Sequence, residues 1–509
     1  MRRFVPILLA LVMVPAPSAA ASFQKAPQRD DTAAYYFLLA RHLESAGKVP
    51  EAIAAIQHAI ELDPASAELY TELAGLHARQ DRAVDALAAA DKALALDPEN
   101  RDAQRILGSI FAALSEQKRA LRPGDDPKQY AAQAIAALEK ARRPQGVDPG
   151  LELTLGRLYL RANQHDKAIA ALQSVFEQQP EYSEGGMMLA AAQEDAGRID
   201  DAIRTLETTI QNNPPFFRAH VRLIALYEQQ QRWKDAAGAY ALAQGINPRA
   251  DLAGGRAAAL MNSGAPKEAQ AVLQEALAKR PAPDAALLYL LAESQRQLKD
   301  YDGAAATTRR LRESFPDDAR GLVMQAQLLL VQGRRDDAIR TFADLVKRAP
   351  DEPTFVYQYA QLLEQSGRIA EAESALRALL ARDPSDANAL NSLGYMFAER
   401  GERLAEAVEL LQRALKIEPG NPSFLDSLGW AFFKQGDLTR AERPLAEAAA
   451  KLPDNSVIQE HLGDLRFRQR RFAEAVVAWE RALAGDGEAI DRSVIEKKLR
   501  EARARVPKR

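Results

Sequence analysis

The 509-residue chain contains no cysteine. That absence excludes disulfides, thiolate metal sites, redox pairs and cysteine nucleophiles, together with the acylated cysteine of a bacterial lipoprotein. Charge of either sign is not in excess: 67 basic against 70 acidic residues give a net charge of −3, so no basic surplus points to nucleic acid and no polybasic run points to anionic lipid. Histidine is sparse, at six residues, and none of His42, His58, His77, His165, His220 or His461 falls in an HExxH pair or another metal-ligand spacing; a solvated helix face is expected for each. There is no Gly-x-Ser-x-Gly elbow, and Gly254-Gly255 lacks the lysine and preceding strand of a phosphate-binding loop. Runs of β-branched residues are scarce, while Ala, Leu, Arg, Glu and Gln abound, which favours helix. Catalysis, metal and cofactor chemistry are therefore not expected.

Long apolar runs are missing except at the start. Arg2 and Arg3 precede the run Phe4 to Val14, and the small residues Ser18-Ala19-Ala20-Ala21 follow, the pattern of a cleavable secretory signal over 1–21. A bilayer span needs about 20 apolar residues, so this run is too short for an anchor and no transmembrane span is expected. Cleavage leaves 65 basic against 70 acidic residues, a short linker over 22–32, and a periplasmic or secreted chain.

What the chain has in abundance is a period. Pro64 and Pro98 lie 34 residues apart, as do Pro180, Pro214 and Pro248, then Pro316, Pro350 and Pro384, and Pro419 and Pro453. A fixed period of this size announces a solenoid of stacked helix pairs. With the proline at position 32 of each 34-residue unit, position 20 is alanine in every copy, from Ala52 to Ala475. Position 8 is small in almost all (Ala74, Gly156, Gly394, Gly429 and Gly463, for instance, with Ile224 the exception), and position 15 is often glycine, as at Gly47, Gly197, Gly333, Gly367, Gly401 and Gly436. Positions 8 and 20 are expected where two helix backbones approach most closely, since a larger side chain there would overpack the contact. Positions 4, 7, 11 and 24 make one apolar face. Glycine at 15 ends the first helix, and proline at 32 stops the second.

These residues resemble the tetratricopeptide repeat family. Leu390-Asn391-Ser392-Leu393-Gly394-Tyr395 followed by Ala407, Leu411, Ala414 and Pro419 is a close copy of its pattern, and Leu425-Asp426-Ser427-Leu428-Gly429-Trp430 with Ala441, Leu445, Ala448 and Pro453 is another. The resemblance covers about residues 33–489. It implies an all-α, right-handed α-solenoid of about thirteen helix pairs, grouped as 33–283 and 284–489, with a capping helix and tail over 490–509 whose apolar side holds Ile490, Val494, Ile495 and Leu499. Departures are an insertion at about 115–131 that includes Arg122-Pro123-Gly124, a glycine-rich seventh unit that would make a weak joint, and Pro444, which should kink its helix.

The resemblance also implies a function, the binding of other proteins in a groove lined by positions 2, 5, 9 and 12 of the first helices. In the early units these positions are small or mixed, such as Thr71, Gly75, Ala191, Gly255 and Ala259. Later they carry Tyr289, Tyr357, Tyr395, Trp430 and Phe433, interleaved with Glu293, Arg296, Gln361, Glu364, Asn388, Asn391 and Asp426. Aromatic anchors among polar neighbours suit a protein partner, and they would also stack on a sugar, so glycan binding beside an envelope polysaccharide enzyme is the alternative. Family members that grip a chaperone's terminal carboxylate use Lys and Asn at positions 5 and 9. Here those positions hold Asn391 and Tyr395, Asp426 and Trp430, then Glu460 and Asp464, so that mode is not expected. Relatives that are exported act in envelope assembly or secretion, and protein partners in the cell envelope are the expectation.

Overall fold

A computed structural model describes residues 32–506 apart from 118, 119, 122–124, 249, 488 and 489. The signal segment, nearly all of the linker, Arg122-Pro123-Gly124 of the insertion and the last three residues lie outside the described residues. Those described form α-helices, one short 3-10 turn (Pro127–Gln129) and no strand. They divide into two compact units between Gln231 and Arg232. The first holds α1 (Ala33–Ser45), α2 (Val49–Leu62), α3 (Ala67–Arg79), α4 (Ala83–Leu96), α5 (Arg101–Gln117), α6 (Tyr130–Ala141), α7 (Pro149–Arg161), α8 (His165–Gln178), α9 (Ser183–Asp195), α10 (Ile199–Asn212) and α11 (Phe217–Gln229). The second holds α12 (Trp233–Ile246), α13 (Ala250–Asn262), α14 (Pro266–Ala278), α15 (Ala285–Gln297), α16 (Tyr301–Ser314), α17 (Ala319–Val331), α18 (Arg335–Arg348), α19 (Pro353–Gln365), α20 (Ile369–Arg382), α21 (Ala387–Arg400), α22 (Leu404–Ile417), α23 (Pro422–Lys434), α24 (Leu438–Lys451), α25 (Ser456–Arg468), α26 (Phe472–Ala484) and α27 (Arg492–Arg505). This is an all-α solenoid of about thirteen helix pairs with a terminal helix.

Each unit is built by the same local chemistry. The proline ends one second helix, and an Asp, Asn or Ser two or three residues later caps the next first helix. Ser66, Asp284, Asp386 and Asn455 each accept a hydrogen bond from the backbone N–H three residues on. Between the two helices of a pair the chain turns through a left-handed residue, position 15. Gly197, Gly333, Gly367 and Gly436 take φ of 74–82° there. Five units place a side chain in the same conformation, Asp81, Asn163, Gln231, Lys299 and Arg470, with φ of 53–63°.

Packing explains the small residues. All thirteen alanines at position 20 are fully covered, which means the facing first helix lies directly against them. A Cβ added to Gly394 would sit 2.7 Å from Leu411 Cγ and 3.2 Å from the Ala407 carbonyl, and one added to Gly429 would sit 2.5 Å from Leu445 Cγ and 3.1 Å from the Leu445 backbone nitrogen. Position 8 is therefore small because position 24 of the partner helix occupies the space. First helices also touch first helices of the next unit, as in α13–α15, α15–α17, α19–α21, α21–α23 and α23–α25, whereas among the described residues no two successive second helices approach comparably. Within each compact unit the first helices thus form the closer-packed layer.

Several expectations change in detail. In the seventh unit α13 begins at Ala250, and Gly264 takes the left-handed turn, so the numbering shifts by one: Ala257, not Ala258, is the covered position 8, and Gly254 and Ala258 replace Gly255 and Ala259 at positions 5 and 9. Gly255 has a packing role there: a Cβ on it would meet the Tyr240 ring at 2.4 Å, and the missing side chain admits that ring. α24 runs unbroken through Pro444, which is buried. In the insertion, α5 extends to 17 residues and Tyr130 ties the described part of the loop, its hydroxyl donating to Asp125 and accepting from Leu121 N–H. The cap α27 buries Ile495, Leu499 and Ala502 against α26, while Val494 is exposed rather than packed.

Two substitutions test this account. Lys299→Gly should stabilise the chain by about 0.5–1 kcal/mol, the left-handed penalty of a side-chain residue less glycine's extra chain entropy. Gly429→Ala should destabilise it by about 1–3 kcal/mol. Urea midpoints followed by circular dichroism decide both, and opposite signs would refute the packing argument.

Candidate partner-binding face

All the candidate site residues fall in the second compact unit, and they separate into clusters. On α15, Arg296 makes a two-pronged hydrogen bond to Glu293, at 2.8 and 2.6 Å, and Tyr289 is half-buried beside them. Burial first, then the Glu293 charge, pushes the Tyr289 hydroxyl pKa up. On α19, Tyr357 donates its hydroxyl to Asp386, the residue that caps α21, so this ring is committed to the joint between two units. Gln361 and Asn388 are exposed. The largest cluster spans α21, α23 and α25 and brings together Asn391, Tyr395, Asp426, Trp430 and Phe433.

The repeat itself assembles this cluster. Tyr395 and Trp430 occupy position 9 of successive units, and the closely packed first helices bring them to neighbouring heights. Trp430 stacks on Phe433, at 4.8 Å and 11°, and on His461, at 3.9 Å and 12°. It is only 6% exposed, and its indole N–H donates to Glu399. Lys434 lies 5.0 Å from the Trp430 ring and Arg468 5.5 Å from Phe433, within cation–π range. Tyr395 stays partly open. Its hydroxyl pKa is pushed up by burial first and then by four carboxylates, those of Glu399, Asp426, Glu364 and Glu460. Glu364 is itself held above the usual carboxylate range, by burial and by the like charge of Glu399. The Asn391 side-chain oxygen is buried without a hydrogen-bond partner. This part of the face is thus acidic, aromatic and incompletely satisfied.

His461, Glu399 and Lys498 were not among the residues singled out from the sequence, and His461 overturns the expectation for it. It is buried, as are His77 and His220, so a solvated helix face does not describe these three. The reason is that each sits at a position turned toward a neighbouring helix. His220 bonds the Pro214 carbonyl at 2.8 Å, and His461 Nδ1 meets both oxygens of Asp426 at 3.0 and 2.9 Å. Position 6 is not a groove position in the family pattern, which hid His461; its spacing of 35 from Asp426, one unit plus one residue, is the signal that could have found it. Among the described residues no group of three His, Asp or Glu side chains could hold a metal ion, and no helix is long and apolar enough to cross a membrane.

At the last pair the same positions are already filled. Glu460 and Asp464, positions 5 and 9 of α25, both receive Lys498 of the cap helix at 2.8 Å, and this ammonium lies 5.9 Å from the Trp479 ring. Burial works against the charge on Lys498, but Asp464 and Glu460 outweigh it and raise its pKa.

A tetratricopeptide repeat model matches residues 16–67, 37–100, 187–251, 323–377, 357–422 and 427–490, and a second model of the same description matches 130–192 and 260–328. The chain belongs to the tetratricopeptide repeat family. A TPR repeat-containing protein of Pseudomonas aeruginosa is 30% identical over 164 residues, which are 32% of this chain and 28% of that protein, so the chain spans little more than a quarter of that relative's length. Among solved structures, a tetratricopeptide repeat protein from Parabacteroides merdae has a TM-score of 0.40 at 17% identity, covering 49% of this chain and 96% of its own. Yeast Tom70 has a TM-score of 0.38 at 15% identity, covering 94% and 96%. At positions 5 and 9 of its last three pairs this tetratricopeptide repeat protein has no lysine; Asn391 and Tyr395, Asp426 and Trp430, and Glu460 and Asp464 stand there.

The His461–Asp426 contact sets a pH dependence. Burial acts to lower the His461 pKa, but the charge and hydrogen bond of Asp426, with Glu399 and Asp464, prevail and leave it raised above 6.5. A raised folded-state value means the contribution is complete below about pH 6.5 and is lost as pH climbs through the folded value. Protection of α23 and α25 amides from hydrogen exchange should therefore fall with rising pH beyond the intrinsic rate change. His461→Ala should remove that dependence and cost about 3 kcal/mol, by leaving Asp426 buried without its partner. An unchanged profile would show that the imidazole does not titrate over the range measured.

Proposed function

We propose that this scaffold is exported and that it binds a protein of the cell-envelope assembly or secretion machinery on the first-helix face of its eighth to twelfth units, gripping a basic side chain of that partner. The observation that carries the reading is Lys498. The chain's own cap places a lysine on the acids at positions 5 and 9 of the last pair. One and two units earlier the corresponding positions hold Asp426 and Trp430, then Asn391 and Tyr395, with Glu364 and Glu399 nearby, and there Tyr395 is left among carboxylates. A lysine or arginine from another chain would find at Tyr395 a ring face and carboxylates comparable to those Lys498 finds beside Trp479. Export is supported by the Arg2-Arg3, Phe4 to Val14 and Ser18-Ala19-Ala20-Ala21 pattern. No specific observation favours the glycan reading: Trp430, the largest ring of the cluster, is buried and already stacked on two others.

The test is capture from cell-envelope extract by the chain starting at Ser22. Because Trp430 and much of Tyr395 pack inside the face, their removal would disturb the stack, so the informative variant is Glu364→Gln with Glu399→Gln. A partner held by the native chain should be lost by the variant, and its affinity should drop about tenfold or more when salt shortens the screening length. Equal capture by both proteins, insensitive to salt, would sink the proposal.

A further inference from the structure

At each junction between units, position 28 of one second helix faces position 7 or 4 of the next first helix, and both are usually apolar. Three junctions place a polar residue at position 28. Arg142 at position 28 meets Glu152 in a two-pronged pair at 2.8 and 2.6 Å. Arg312 at position 28 donates to Gln325 at position 7, at 2.5 Å. The third junction carries the same two residue types in exchanged places, Gln244 at position 28 and Arg256 at position 7. There the pair is not made: the Arg256 Nε–H and the Gln244 Oε1 are both buried and neither has a hydrogen-bond partner.

Both residues line an open cleft of about 580 Å³ bounded by α12, α13 and α14. Lys279 and Arg280 stand in the same lining. Lys279 is held by Glu275 at 2.6 Å and Arg280 by Asp284 at 3.2 Å. Among the described residues Arg256 has no ion pair; Glu275, the one acid of the lining, spends its carboxylate on Lys279 and feels Arg256 only at a distance. A buried donor left unmatched is costly, and a guanidinium edge offers two parallel N–H bonds of the geometry that a carboxylate or phosphate accepts. The other two junctions show that the repeat can satisfy an arginine internally when its partner is in reach.

We propose that this cleft is a binding site for a small oxyanion, a carboxylate or phosphate group, seated on the Arg256 guanidinium with Lys279 and Arg280 adding positive potential at the mouth. The two sources of such a group, free phosphate and the terminal carboxylate of a peptide, are distinguished by titration. Calorimetry on the full chain at constant ionic strength would use inorganic phosphate, an acetylated tri-alanine with a free carboxylate, and the same peptide as its amide. Saturable binding of phosphate alone identifies a free anion; binding of the free tripeptide but not its amide identifies a peptide end. Either affinity should fall by at least about tenfold in Arg256→Leu, which restores the usual residue of position 7, and also in Arg256→Lys, which keeps the charge but loses the planar fork. Arg335→Leu, on exposed surface elsewhere, should bind as the native chain does. If Arg256→Leu loses its helical signal, Arg256→Lys carries the comparison. Absence of saturable binding by the native chain, or affinity unchanged in the folded arginine variants, would overturn the proposal.

Discussion

Everything in this molecule depends on how closely the two helices of a pair approach each other. Where position 8 is glycine there is no space for a side chain opposite the leucine or tryptophan of position 24, and at position 20 a methyl group fills what is left. Close approach makes each pair rigid and nearly identical to its neighbours, because overpacking by a single methylene would force the backbones apart. Identity between pairs in turn makes the first-helix face periodic. A residue at position 9 of one unit therefore reappears beside position 9 of the next, and a binding surface can be composed by choosing residues at one position in successive copies. The aromatic and acidic cluster of α21, α23 and α25 is such a composition.

The repeat was legible because its cause is steric and local: proline, glycine and alanine recur where backbone geometry or space admits little else. The same reasoning failed where a unit is a residue short. In the seventh pair the shortening falls before α13 begins, which moved Ala257 into the closely packed position and Arg256 into a leucine's place. The glycines there suggested looseness, but Gly255 accommodates Tyr240, a contact between helices that composition does not reveal. Pro444, expected to kink its helix, lies inside α24, which continues through it.

The candidate face was legible as a set of positions but not as a set of contacts. Tyr357 fell in the right place and is bonded to a helix cap; Trp430 fell in the right place and is buried between neighbours. Which rings face solvent depends on the residue one unit away, as His461 shows. It lies outside the family's groove positions and yet supplies the ring on which Trp430 stacks and the ring nitrogen that meets Asp426. Side-chain identity across a junction is long-range information, and a periodic pattern averages it out.

Uncompensated polar groups then become the informative residues, because a repeat has many chances to satisfy them and usually does. Glu460 and Asp464 acquire Lys498, Arg142 acquires Glu152, and Arg312 acquires Gln325. Glu399 accepts from the Trp430 indole and has Lys434 at 3.9 Å, whereas Glu364 is partly buried beside that like charge, and a carboxylate so placed raises the energy of the face. Bringing a lysine or arginine there would relieve two like charges at once. The terminal pair, where the cap helix supplies that lysine, is thus the chain's closed state of a surface that earlier units leave open. Lys498 thus gives Glu460 and Asp464 the cation that Glu364 lacks among the described residues.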